Sequence, residues 1–271
     1  MKLDIMTFSM NEKNEYTRFW EPLSKHVKQN LNLHPVLLYV GKEDISISEE
    51  YGDVHRIYCG DDIPTYIPST WGWFWVATQY PEKVCMQSGI DMAVINKDYF
   101  NKKIENLNDD CYVVSRADSY TKPHDMEYWK REFNTFVSYY HIAKGKIFKD
   151  ALDILDDFKK EIIKINSIDY SNAPRDDAFL GTGYSDNPNN FLSETCVTNG
   201  GKWCLDEIHS THMLRKYRKN GGKVIEHSMS DCRILNIHSS QQIQKLTPES
   251  VDFVHFNKPY HDKDEINEIL T

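Results

Sequence analysis

The run Pro35-Val36-Leu37-Leu38-Tyr39-Val40, closed by Gly41, constrains this chain more than any other stretch. A near-continuous apolar segment of that length suits a strand buried on both faces, and such strands belong to parallel sheets covered by helices. Its surroundings agree. Leu3 to Phe8 reads as a first strand, followed by the turn-prone Ser9-Met10-Asn11. Tyr16 to Leu31 then has helical spacing, with Phe19, Trp20, Leu23, His26 and Val27 along one face. Val54 to Tyr58 is a shorter strand, Ser69 to Gln79 a Trp-rich helix, and Val84 to Met86 and Cys111 to Ser115 are further strands. Strands alternating with helices predict an α/β fold with a mostly parallel central sheet.

Further along, Phe148, Leu152, Leu155, Phe158 and Ile162 recur at helical spacing and predict one amphipathic helix from Phe148 to Ile165. Residues 166–201 are rich in Asn, Ser, Asp, Pro and Gly and read as loops; a long irregular stretch of this kind is often functional. There is no internal repeat and no clean linker, so a single domain over 1–271 is expected. Two halves are expected within it, over about 1–120 and about 121–271.

Charge and cysteines remove several classes of protein. A formal net charge of −9 argues against a general nucleic-acid binder, which needs a basic face. It leaves room for an anionic nucleotide held by a metal and a few local cations. The six cysteines form no Cys-x-x-Cys pair and no zinc spacing, and several sit in apolar segments, so they read as buried thiols in a reducing compartment. Met1 to Thr7 carries an early acid and no long apolar run, and no stretch approaches a membrane span. A cytoplasmic location is expected.

The chemistry concentrates in three segments. The first is Lys83-Val-Cys-Met-Gln-Ser-Gly-Ile-Asp-Met-Ala-Val, in which an apolar run ends in small residues and then in Asp91. A carboxylate beyond the end of a sheet strand faces the cleft where α/β proteins bind ligands. Between Ile90 and Met92 it needs a partner, and a hard divalent cation is a natural one. Asp91 read as a plain cap or strand end is the alternative. The second segment is Trp203-Cys204-Leu205-Asp206-Glu207-Ile208, whose acids also suit the first turn of a helix over 205–219. The third is Phe253-Val254-His255-Phe256-Asn257-Lys258-Pro259-Tyr260, alternating enough to be a strand, where His255 is a cation ligand or a core imidazole.

Taken in this order, the three segments resemble GT-A-type nucleotide-sugar glycosyltransferases, among them small domains of large DNA viruses and bacteria. The first is similar to their Asp-x-Asp region, with Gly89 in place of its first acid and Asp91 as the second. The second is similar to their Trp-Gly-Thr-Asp-Glu segment, and the third to the late stretch that supplies a metal-ligating His. The resemblance implies a GT-A-like fold and transfer of a hexosyl or deoxyhexosyl group from a nucleotide-diphosphate sugar, UDP-linked for instance. The acceptor would be a hydroxyl of a glycan or another molecule, and inversion is the expected stereochemistry. It implies Mn2+ or Mg2+ on Asp91 and His255, and Asp206 as the base with Glu207 beside it. Donor contacts would come from Thr7, Phe8, Ser9, Trp71, Ser88, Gly89 and Lys258.

Trp71, Trp73 and Trp75 alternate by two, so one helix cannot bury all three on one face. Arg116, Asp118, Asp176 and Asp177 are weaker candidates for sugar hydroxyls, and Tyr260 for the diphosphate. P-loop, Gly-x-Gly-x-x-Gly and Gly-x-Ser-x-Gly patterns are absent. A sugar nucleotidyltransferase and a catalytically inactive nucleotide- or glycan-binding module are the alternatives. The first wants a Gly-rich phosphate loop that residues 3–13 lack, and the second is kept open by Gly89.

Overall fold

The computed structural model describes residues 1–42, 45–115, 140–168, 205–229, 231–237, 246–257 and 261–270. A seven-stranded sheet forms its centre. In chain order its strands are β1 (Ile5–Asn11), β2 (His34–Val40), β3 (Asp53–Ile57), β4 (Val84–Gln87), β6 (Cys111–Ser115), β7 (His141–Lys144) and β8 (Lys223–His227). Across the sheet the order is β3-β2-β1-β4-β7-β6-β8. All neighbours are parallel except β7, which runs antiparallel to both β4 and β6. The expected mixed, mostly parallel sheet is therefore present.

Helices cover both faces, which is why β2 is apolar from Pro35 to Val40. Leu37 and Tyr39 enter one core, shared with Phe19, Trp20, Leu23 and Val27 of helix α1 (Asn14–Gln29). Val36, Leu38 and Val40 enter the other, with Trp71, Phe74 and Trp75 of α2 (Tyr66–Thr78). Burying side chains of this size contributes about 1.5–3 kcal/mol each, and β2 collects that gain on both sides. α2 lies close to the sheet because position 72 is glycine. A Cβ there would stand 2.4 Å from Leu38 Cδ2 and 2.6 Å from Ser9 Oγ.

A short α3 (Lys97–Ile104) precedes β6. The predicted helix from Phe148 to Ile165 is instead two helices, α4 (Gly145–Leu152) and α5 (Phe158–Asn166). Asp153 turns left-handed between them (φ 53°), and Asp157 caps the second by accepting from the Lys160 N–H. Apolar spacing continues across the break, but Leu155 is 40% exposed while Leu152, Phe158 and Ile162 are buried. α6 (Leu205–Lys219) packs against α2 and α4.

A second, three-stranded sheet lies on the α1 side. Its strands are β5 (Met92–Val94), β9 (Ile234–Ile237) and β10 (Phe253–Phe256), in the order β5-β10-β9. The final helix α7 (Lys263–Leu270) packs on α1. His26 joins these parts: Nε2 lies 2.8 Å from the Val94 carbonyl and Nδ1 2.9 Å from that of Leu270. Among the described residues no helix is long and apolar enough to cross a membrane.

Candidate functional site

From β1 the chain winds outward to β2 and β3, then returns over α2 to β4 on the other side of β1. The loops leaving β1 and β4 therefore diverge, and a crevice opens beyond their carboxyl ends, as at the switch point of other open α/β sheets. A cavity of about 420 Å³ occupies this position. Its floor is Ser9, Met10 and Asn11 of β1, and one wall is Gly89, Ile90, Asp91 and Met92 after β4. Tyr16 of α1 and Tyr66, Ser69, Thr70 and Trp73 of α2 form the other sides, and His255 of β10 closes the ring.

Asp91 and His255 meet through strand pairing. Met92 of β5 stands opposite His255 of β10 in the antiparallel ladder, and the Phe256 N–H donates to the Asp91 carbonyl at 2.9 Å. The Asp91 Oδ2–His255 Nε2 distance is 3.9 Å, with side chains 23% and 34% exposed. Two donors on one six-coordinate Mg2+-like ion at about 2.1 Å stand about 3 Å apart when adjacent and about 4.2 Å when opposite. The observed separation falls between the two spacings and matches neither, so sharing one cation would take a small turn of one of these partly exposed side chains. Among the described residues no third His, Cys, Asp or Glu joins them.

Gly89 belongs to the same wall. A Cβ at this position would come within 3.0 Å of Asp91 Oδ1 and 3.2 Å of Met92 Sδ, closer than most real contacts. A side chain here would have to push against the carboxylate. At the other end of the cavity the α1 N-terminus follows β1 after two residues, with the exposed Lys13 at its N-cap and no side-chain cap bond. The positive end of the helix dipole and a cation suit an anion.

The residues expected at the donor divide. Ser9 and Gly89 line the cavity with Asp91 and His255. Thr7, Phe8 and Ser88 are fully buried beneath it: Thr7 Oγ1 donates to the Trp73 carbonyl, Phe8 packs edge-on to Trp20, and the Ser88 N–H donates to the Thr7 carbonyl. Trp71 requires correction. It is a core residue, fully buried, with Nε1 donating to Glu161 at 3.0 Å and its ring 5.1 Å from that of His209. The tryptophan at the cavity is Trp73, two positions on, whose buried Nε1 has no acceptor among the described residues. The alternation by two limits how many of the three one face can bury; burial alone picks out which one lines the cavity.

Asp206 and Glu207 open α6, Asp206 buried and Glu207 half-buried, and neither lines the cavity. His209, one turn on, is lowered to about 3 by burial, with Lys164, His212 and Lys216 adding to the effect. Lys258, Tyr260, Trp203, Cys204, Arg116, Asp118, Asp176 and Asp177 lie outside the described residues. Among the described residues Cys59, Cys85, Cys111 and Cys232 form no disulfide. Tyr16, Tyr66 and Asn11 had no legible signal beyond their nearness to predicted strand and helix ends.

No family model matches this sequence, and no curated protein matches it. Among solved structures the chain is similar to the galactosyltransferase LgtC in complex with donor and acceptor sugar analogs, at 10% identity and a TM-score of 0.42, over 98% of this chain and 95% of that one. It is also similar to the apo structure of the bifunctional glycosyltransferase WbbM, at 8% identity and a TM-score of 0.41, over all of this chain and 50% of that one.

Proposed function

We propose that the protein transfers a hexosyl or deoxyhexosyl group from a nucleoside-diphosphate sugar to a hydroxyl acceptor. The observation that carries this reading is the cavity at the β1–β4 switch point, with Asp91 and His255 3.9 Å apart on its rim. A bound Mn2+ or Mg2+ supplies charge to the departing diphosphate, worth several kcal/mol at a leaving group. Asp91 and His255 are the residues that would hold it.

The rest of the cavity suits the other parts of such a donor. Tyr16, Tyr66 and Trp73 offer aromatic faces to a base or sugar, while Lys13 and the α1 N-terminus favour phosphate charge. Ser9 Oγ is turned inward, donating to the Leu38 carbonyl at 3.3 Å, so β1 offers the ligand mainly backbone. In this reading the sugar inverts, and Asp206, with Glu207 next to it, would have to reach the acceptor hydroxyl from beyond the described cavity wall to take its proton. Lys258 belongs to the diphosphate.

The test is hydrolysis of a panel of nucleotide-sugars, UDP-sugars first, with and without manganese and without acceptor. Slow, manganese-stimulated release of one nucleoside diphosphate is expected. A chain that binds a donor but releases nothing under any condition, with or without added glycans, is a binding module instead.

A further inference from the structure

The pair Asp91 and His255 is only as well placed as the ladder that brings it together, and that ladder is short. β5 has three residues and β10 four. Register in so brief a pairing is weakly specified by its own hydrogen bonds, and a slip of one residue would turn His255 to the opposite face. The β9 ladder and the Phe256–Asp91 bond hold one side of it, and a further clasp sits at the ladder's other end.

Asp252 stands there, immediately before β10, and is 2% exposed. Its Oδ1 accepts from Asn96 Nδ2 at 2.8 Å and from an Arg233 terminal nitrogen at 2.7 Å. Its Oδ2 accepts from the Arg233 backbone N–H at 2.8 Å and from Arg233 Nε at 3.2 Å. The backbone repeats the pattern: the Asp252 N–H donates to the Arg233 carbonyl, and its carbonyl accepts from the N–H groups of Ile95 and Asn96. Arg233 is itself held by the carbonyls of Pro248 and Glu249. One buried carboxylate thus ties the start of β10 to the end of β5 and the start of β9.

We propose that Asp252, clasped by Arg233 and Asn96, is the positioning residue that sets the register at which β10 presents His255 to Asp91. The proposal rests on the reading of those two residues as cation ligands, and its geometric core is separable from it. An exposed ion pair contributes little, but this carboxylate is desolvated and all four of its bonds come from residues flanking β5 and β9. An asparagine in its place would turn an NH2 group toward donors on one side or the other, whichever way it faces. The clasp is made at the far end of the ladder from the cavity, so Asp252 touches no ligand.

The experiment uses the full chain with 15N-labelled histidine. In the wild type, Asp91→Asn is expected to shift the His255 imidazole resonances, reporting their proximity without any metal. In the Asp252→Asn background the same change is expected to leave His255 unmoved. If Asp252→Asn fails to fold, Arg233→Gln, which removes the side-chain half of the clasp and keeps the carboxylate, gives the same reading. In a second arm, manganese chloride with UDP is titrated into each protein, and affinity for manganese is expected to fall about 10- to 100-fold in the clasp variants. An Asp91→Asn change that shifts His255 equally in both backgrounds, or not at all in the wild type, overturns the proposal. A wild type that takes up no manganese with UDP contradicts the cation reading alone, and the imidazole arm still decides the clasp.

Discussion

The two sheets of this protein solve different problems. The seven-stranded sheet is built from segments whose burial is encoded locally, with long ladders such as β1–β2, paired over seven residues from Ile5↔His34 to Asn11↔Val40. The three-stranded sheet takes one strand from residues 92–94 and two from residues 234–256, and its β5–β10 ladder pairs only three residues. The large sheet supplies rigidity and the crevice; the small one supplies the meeting of Asp91 with His255. Stability and function should therefore respond to different substitutions.

The largest effects are expected where the small sheet reaches the cavity. Asp91→Ala and His255→Ala should each reduce manganese-dependent donor turnover on the order of 100-fold or more. Both side chains are partly exposed, so the midpoint of thermal unfolding should barely move. Calorimetric melting beside an initial-rate assay reads both. A large loss of stability in either variant would mean the pair is part of the core.

The complementary change is Trp71→Ala, in the layer over the large sheet. The side chain is fully buried and its indole N–H satisfies Glu161, itself fully buried, so a loss of about 3–5 kcal/mol is expected in urea unfolding. Donor affinity of the protein that remains folded should change little. Trp73→Phe sharpens the contrast. It removes an N–H that has no acceptor among the described residues, so stability should hold or rise. If a ligand oxygen engages that donor on binding, affinity should fall about tenfold, the worth of one hydrogen bond of about 1.4 kcal/mol.

Acid should act on both regions, and more gently. Burial penalises the charged form of His26, beside β5, and of His209, against Trp71, and the same cause lowers His55 and His227. Each is neutral in the native state and takes up a proton near 6.5 when unfolded. Their contribution is complete above about pH 6.5 and is lost as pH falls toward the native values, about 3 for His209. Urea midpoints at pH 7.5 and 5 should show the decline, and His209→Gln should flatten it.

What could be read in advance follows the same division. β2, β4 and the buried face of α1 were legible because apolar residues at the right period leave few other solutions. Asp91 was legible as an acid just past a strand, and His255 as a polar residue in an apolar strand. Their adjacency was not, because it depends on a register between segments more than half the chain apart, fixed in part by Asp252 and Arg233. The break at Asp153 was hidden for a related reason: apolar spacing persists through a left-handed residue that a helix of the same composition would not need. Trp71 and Trp73 differ in nothing but what lies above them.

The measurement closest to the central claim is calorimetric titration of nucleotide-sugars and nucleoside diphosphates into wild type and Asp91→Ala, with and without manganese. Binding of one donor that strengthens with manganese in the wild type and loses that dependence in the variant is the predicted result. Donor binding with the same manganese dependence in both proteins would contradict the account and move the cation away from Asp91 and His255.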